Sequence, residues 1–122
     1  MGGPSDRPAR LGARTTTEVP SGAVLVVPVG SCEQHGPHLP LDTDTRIAVA
    51  LCEALASARD GLVVAPAVSV GASGEHAGFD GTLSIGNEVL EELVVELVRS
   101  ALPVPGDAAP FGGVVLVNGH GG

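Results

Sequence analysis

The sequence predicts an α/β fold in which a mostly parallel sheet is covered by helices on both faces. Three apolar runs rich in Val and Leu alternate with two segments of helical periodicity, in the order strand, helix, strand, helix, strand. A polar, glycine-rich segment follows each apolar run. Because ligands of such folds bind beyond the carboxyl ends of parallel strands, these three segments are the candidate parts of one functional site.

The first part of this pattern covers residues 24–66. Residues 24–29 form a continuous apolar run, typical of a strand that is buried on both faces. Residues 45–58 carry apolar side chains at helical spacing, with Thr43 or Asp44 as the candidate cap and Gly61 just beyond the end. Residues 62–66 are apolar and β-branched and end at a proline, which predicts a second strand.

The remaining elements are a long loop, a helix and a third strand. Residues 70–84 are glycine-rich and dense in polar groups, as is typical of loops that line a site. Residues 87–101 show one apolar stripe with glutamates elsewhere, which predicts an amphipathic helix. After a connector rich in Pro, Gly and Ala, residues 113–117 predict a third strand. Residues 1–22 lack apolar periodicity and predict a flexible arm before a domain at residues 23–122.

Charge and composition argue against several classes of partner. The 122 residues include 14 acidic and 6 basic side chains, whereas proteins bind nucleic acid and anionic membranes through Lys and Arg. No apolar run reaches the roughly 18 residues of a membrane span, and no apolar signal core follows the amino terminus. Two cysteines are too few for a disulfide framework. We therefore expect a cytoplasmic protein that binds neither nucleic acid nor membrane.

The segment after the first strand has the composition of a metal site. In extended backbone Glu33 and His35 point to one side, whereas Cys32 and Gln34 point to the other. The proline turns that follow can bring Asp44 back toward the same point. Two carboxylates and one imidazole suit zinc, manganese or iron(II) better than calcium or magnesium. An isolated Glu-x-His is usually part of a solvated loop, but polar segments after all three strands favour a site.

Several longer motifs resemble those of the creatininase family. They are GSCEQHGPHLP at residues 30–40, TDT at residues 43–45, GTLS at residues 81–84 and NGHGG at residues 118–122. The motifs follow the family's order, and the resemblance extends over residues 24–122. It implies a three-layer creatininase-like fold of which residues 23–122 are the N-terminal part. Because family members continue beyond the last motif, the resemblance implies a chain that is truncated after the third strand, with one face of its sheet under-covered.

The resemblance also implies a centre with two divalent cations, with zinc as the first choice and iron(II) or manganese as alternatives. Glu33, His35, Asp44 and His120 match family metal ligands. By the family pattern Asp44 would bridge the two cations. Glu33 and His120 would complete the first, and His35 would serve the second, which then lacks one protein ligand. The nucleophile is expected to be a metal-bound water, whose pKa falls from about 15.7 toward about 7.

Three further residues are expected to contact the substrate or the metal ligands. His38 can hydrogen-bond a ligand or the substrate, or can simply pack between two prolines, and both interpretations stay open. Glu75 and His76 are adjacent, so in extended backbone at most one of them points into the site. Cys32 has no base at a recognisable spacing and is expected only to pack.

Within the family, residues 65–68 and 71–76 look most like the peptidases that mature the mycofactocin precursor peptide. This likeness implies a metal-dependent hydrolase that removes the C-terminal dipeptide from the modified precursor, and a homo-oligomer at full length. Creatinine-hydrolysing members place a glutamate two residues after the histidine that His120 matches, where this chain has Gly122. The alternatives are an inactive fragment that binds metal or family subunits, and an amidohydrolase acting on a small cyclic amide or a formamide.

Overall fold

A computed structural model describes residues 9–102 and 111–121 of the chain. It contains a three-stranded sheet and two α-helices. These are β1 (Ala23–Val29), α1 (Thr43–Ala58), β2 (Leu62–Val64), α2 (Gly86–Ala101) and β3 (Phe111–Asn118). The strand order is β2-β1-β3, and β1 pairs in parallel with both neighbours. The predicted α/β class and parallel sheet are confirmed.

The two helices cover opposite faces of the sheet, because successive side chains of β1 point to opposite sides. On one side, Val26 packs in a buried cluster with Cys52 of α1. On the other side, Leu25 and Val27 pack in a second cluster with Ala101 of α2. The described residues therefore form three layers, with a helix on each face of the central strand.

Every predicted helix and strand boundary lies within two residues of the observed one. The candidate caps of α1 were wrong, because this helix begins earlier than the apolar periodicity indicates. Asp42 is the N-cap, and the Arg46 N–H already donates to the Asp42 carbonyl over 2.9 Å. Asp44 therefore lies in the first helical turn rather than before it, and the helix fixes the direction of its side chain.

Residues 9–11, which belong to the predicted arm, pack beside β2 and the core. The Val64 N–H donates to the Ala9 carbonyl over 2.8 Å, and Leu11 is partly buried against the core. Two short 3-10 turns follow, at Leu11–Ala13 and Thr16–Glu18. Residues 1–8 of the predicted arm and most of the predicted connector lie outside the described residues.

β3 is the least covered of the three strands. Val115 and Leu116 are 46% and 44% exposed, whereas Val26 of β1 is 1% exposed. None of the helices in the described part of the chain is long and apolar enough to span a membrane.

Candidate metal centre

The carboxyl ends of β1 and β3 meet the first turn of α1, and two glycines make this close approach possible. A Cβ atom on Gly30 would collide with the backbone of Thr45, and one on Gly119 would collide with the Asp44 carbonyl. The Gly119 N–H donates to the Val29 carbonyl over 2.8 Å, which continues the pairing of the two strands into their loops. The polar segments that follow these strands are thereby held against one helix end.

Glu33, Asp44 and His120 form a buried cluster at this edge of the sheet. His120 Nδ1 lies 3.0 Å from Glu33 Oε1 and 3.0 Å from Asp44 Oδ2. One candidate ligand atom of each residue lies within 4.8 Å of those of the other two. The three residues are only 3% to 9% exposed. The cluster thus gathers two carboxylates and an imidazole from segments that are distant in the sequence.

Asp44 lies between two histidines. Its Oδ2 atom faces His120 Nδ1, and its Oδ1 atom lies 2.9 Å from His35 Nε2. The four residues predicted as metal ligands therefore lie together, with Asp44 touching the two imidazoles through different oxygens. This geometry suits a carboxylate that bridges two cations, and the bridging role stays a prediction.

Backbone carbonyls fix the proton positions on both imidazoles. His120 Nε2 lies 3.1 Å from the Ala72 carbonyl, and His35 Nδ1 lies 2.9 Å from the Glu33 carbonyl. Because a carbonyl oxygen only accepts, each of these nitrogens carries a proton. In the neutral imidazole the other nitrogen has a free lone pair, and in both residues this nitrogen faces a carboxylate. Histidines that bind metals are oriented in this way by hydrogen bonds from their distal nitrogen.

Ser31 positions Asp44 and was missed by the sequence analysis. Its hydroxyl donates to Asp44 Oδ2 over 2.9 Å, and the residue is 0% exposed. The Thr45 hydroxyl accepts from the Ser31 N–H and donates to the Ser31 carbonyl. The signal was available, because strand alternation places Ser31 on the same side as Glu33 and His35.

Carboxylates and imidazoles in the cluster shift one another's pKa values. A hydrogen bond to the Glu33 carbonyl, and then the Asp44 carboxylate, raise the pKa of His35 despite partial burial. Burial lowers the pKa of His120, but the Ala72 carbonyl and the Asp44 carboxylate outweigh it, and the net shift is upward. Burial raises the pKa of Asp44, but hydrogen bonds from Ser31, His35 and His120 reverse this and hold it below its usual value.

The residues present fit a divalent cation. Two carboxylates that share a buried location need a positive charge nearby, supplied by protons on the imidazoles or by a metal ion. Glu33 Oε2 is also buried and has no hydrogen-bond partner among the described residues. The donor set mixes carboxylate oxygens with imidazole nitrogens, which zinc, manganese and iron(II) accept.

His38 lies apart from Glu75 and His76, the two other residues expected to contact the substrate or the metal ligands. His38 is exposed, and no hydrogen bond or ion pair joins it to another described residue. Glu75 and His76 lie in a 3-10 turn, Gly74–His76, rather than in extended backbone. The turn brings Glu75 Oε1 within 4.0 Å of His76 Nε2 and places a ligand atom of each residue near Glu33, and their contact with a substrate stays a prediction.

Gln34 also differs from its predicted direction. Its side chain reaches His76 Nδ1 at 2.9 Å, and His76 Nε2 in turn lies 3.7 Å from Glu33 Oε2. Cys32 points elsewhere, and its thiol donates to the Gly81 carbonyl over 3.5 Å. Alternation thus agrees with the direction of Cys32 but does not predict the contact that Gln34 makes beside Glu33.

Comparisons with known proteins agree with this geometry. The family model described as "Creatininase: Creatinine amidohydrolase" matches residues 13–122. A mycofactocin precursor peptide peptidase of Mycolicibacterium smegmatis is 52% identical over 94% of this chain and 47% of its own length. A protein of that name from Mycobacterium tuberculosis is 49% identical over 92% of the chain and 46% of its own length. The chain thus spans about half the length of these relatives.

Solved structures show the same architecture. A structure titled "Creatininase Mn" superposes with a TM-score of 0.79 at 30% identity, over 93% of this chain and 46% of that chain. A mutant creatininase of Zn-Zn type gives a TM-score of 0.76 at 30% identity over the same shares. The match over nearly all of the sequence, together with the shared fold, shows that this chain belongs to the creatininase family of metal-dependent hydrolases.

Proposed function

We propose that the chain supplies metal-binding residues of a hydrolase that removes the C-terminal dipeptide from the modified mycofactocin precursor peptide. The observation that carries the proposal is the convergence of Glu33, Asp44 and His120, with His35 on the second oxygen of Asp44. The substrate is inferred from the relatives named as mycofactocin precursor peptide peptidases, which are about half identical to this chain.

Each of the four residues has a distinct part in this proposal. Glu33 Oε1, Asp44 Oδ2 and His120 Nδ1 would hold one cation, whereas His35 Nε2 and Asp44 Oδ1 would contribute to a second. Bound divalent cations polarise the scissile carbonyl and provide an activated water at neutral pH. Because Glu33, Asp44 and His120 are buried, water would screen a cation held between them less than it would at the surface.

The choice of metal and the assembly state belong to the same proposal. Zinc is our first choice, and manganese and iron(II) suit the same mixed oxygen and nitrogen donors. The related creatininases are described in Zn-Zn and Mn forms. Metal analysis of protein purified without added metal identifies the native ion, and light scattering tests the expected homo-oligomer.

The decisive experiment places these residues in a full-length context. Residues 1–122 would replace the matching part of the M. smegmatis relative, and the chimera would be incubated with the modified precursor peptide. Mass spectrometry should detect release of the C-terminal dipeptide, lost after chelation and restored by zinc or manganese. Cleavage that survives complete removal of metal would contradict the proposed chemistry. Hydrolysis of creatinine in place of the peptide would instead favour the small cyclic amide.

The same assay on residues 1–122 alone measures what this chain does by itself. A parallel metal titration of the chain establishes whether it binds one cation or two. We expect one tightly bound ion per chain, because the second set of ligands has only His35 and Asp44.

A further inference from the structure

His76 faces a carboxylate, as His35 and His120 do. Its hydrogen bonds differ, because they place the ring proton on the nitrogen that faces the carboxylate. In His35 and His120 a backbone carbonyl accepts from one nitrogen, so the nitrogen that faces the carboxylate has a lone pair. In His76 the nitrogen that faces away from the carboxylate meets a side-chain amide instead.

The orientation of that amide is determined by its other end. Gln34 Oε1 accepts from the Gly36 N–H over 3.0 Å, so the amide nitrogen of Gln34 is the atom that faces His76 Nδ1 at 2.9 Å. An amide nitrogen can only donate, so His76 Nδ1 must accept. A neutral His76 therefore carries its proton on Nε2. The reverse orientation of Gln34 would turn its amide hydrogens toward the Gly36 N–H and lose that hydrogen bond.

The proton on His76 Nε2 faces an acceptor that lacks a partner. Nε2 lies 3.7 Å from Glu33 Oε2, an oxygen that is buried and has no hydrogen bond among the described residues. The Glu33 side chain is only 4% exposed, and the His76 side chain is 29% exposed. The separation is slightly longer than a formed hydrogen bond, so a small movement of either side chain closes it.

We infer that His76 is a positioning residue that donates its Nε2 proton to Glu33 Oε2 and thereby directs Glu33 Oε1 toward the cation held with Asp44 and His120. This inference rests on the proposed metal centre and adds a support for one of its ligands. The two oxygens of Glu33 then have separate partners, because Oε1 faces His120 Nδ1 and Oε2 faces His76. Carboxylate ligands held by such a hydrogen bond keep one coordination geometry.

A competing arrangement uses the same atoms. Glu33, Glu75 and His76 each offer one ligand atom within 4.8 Å of the others, as a cation held between them would require. That arrangement needs a lone pair on His76 Nε2 and hence a proton on Nδ1, which would point at the Gln34 amide hydrogens. The hydrogen-bond pattern therefore favours the positioning role.

Nitrogen chemical shifts test the proton position directly. The chain has four histidines, so a two-bond proton–nitrogen spectrum of the metal-free protein at about pH 8 is simple, and His76→Gln identifies the relevant signals. We expect an unprotonated Nδ1 and a protonated Nε2 for His76, both unchanged after zinc is added. A protonated Nδ1, or zinc binding at Nε2, would overturn the inference.

Zinc affinity tests the consequence. His76→Phe should weaken zinc binding by about 10-fold to 100-fold, the usual effect of losing a group that orients a ligand. His76→Gln, which can place an N–H near the same point, should retain most of the affinity. Equal losses in the two variants, or an equal loss in Glu75→Gln, would overturn the positioning role. If the unchanged chain binds no zinc, both the proposed function and this inference are contradicted. If zinc binds but the proton of His76 lies on Nδ1, only this inference is contradicted.

Discussion

Asp44 Oδ2 and His120 Nδ1 lie 3.0 Å apart although 76 positions separate the two residues in the sequence. Asp44 comes from the first turn of α1, and His120 follows β3. The contact exists only when β3 is paired with β1 and α1 is packed against both strands. The distance between these two atoms therefore shows whether β1, β3 and α1 have assembled around the site.

Replacement of Asp44 should affect metal binding more than any other single change in the cluster. Asp44→Ala removes the carboxylate that touches both His35 and His120, so we expect no measurable zinc binding and no peptide cleavage by the chimera. Calorimetric titration with zinc measures the first effect. Asp42→Ala is the matched control, because the half-exposed Asp42 side chain makes no hydrogen bond to the helix end and, among the described residues, pairs only with Arg46. Full zinc binding by Asp44→Ala would refute the assignment.

Loss of the Ser31 hydroxyl should lower both stability and metal affinity. Ser31→Ala removes the hydroxyl donor of Asp44 Oδ2, and we expect a loss of about 1 to 3 kcal/mol in the free energy of unfolding. Zinc affinity should fall by about 10-fold, because the carboxylate is less firmly oriented. Urea unfolding of the metal-free protein and zinc titration measure the two effects. Ser100→Ala, at an exposed helix position, should change neither, and equal effects in both variants would contradict this role.

An added methyl group at Gly30 should separate β1 from α1. The new Cβ atom would meet the Thr45 backbone, so Gly30→Ala should cost about 1 to 3 kcal/mol of unfolding free energy and move Asp44 away from His120. Gly12→Ala is the control, because no heavy atom lies within 4 Å of a Cβ at that position. Thermal unfolding and zinc titration together test this. An unchanged zinc affinity in Gly30→Ala would show that the close approach does not position the ligands.

The stability of the metal-free protein should fall as the pH rises above 6.5. His35 and His120 have folded-state pKa values raised above 6.5, so their contribution is complete below pH 6.5 and is lost as the pH rises through the raised values. Asp44 has a pKa lowered below 3.8, so its contribution is present above pH 3.8 and is lost as the pH falls through the lowered value. Considering these groups alone, stability is greatest between pH 3.8 and pH 6.5.

Zinc should reverse this dependence, because protons compete with the metal for the same nitrogens and oxygens. The increase in unfolding temperature caused by zinc should therefore be larger at about pH 8 than at about pH 5.5. Denaturation curves with chelator and with excess zinc measure both trends. A zinc effect that grows on acidification would contradict the proposed ligands.

The sequence was sufficient for the fold because its signals are local. Continuous Val and Leu runs, helical spacing and proline positions predict elements without knowledge of the tertiary structure, and all boundaries fell within two residues. The grouping of Glu33, Asp44 and His120 was predictable because parallel strands direct their following loops to one edge. The resemblance to creatininases then supplied roles that composition cannot provide.

The remaining features depend on contacts that a linear pattern does not contain. Strand alternation places Ser31 on the same side as Glu33, but its contact with Asp44 follows only from a helix that starts at Thr43. The direction of Gln34 and His76 depends on a 3-10 turn and on a hydrogen bond between residues 42 positions apart. Short polar loops encode such turns weakly, because many backbone conformations satisfy the same residues.

The order of strands in the sheet also determines when the site forms. β1 is made first along the chain, yet it lies between its two partners and must wait for β3, the last of the three. Pairings between distant segments carry a large loop-closure entropy and slow the folding of parallel sheets. We therefore expect His120 to reach Asp44 only after β3 has paired with β1. A cation site that includes His120 should then form no earlier than this pairing.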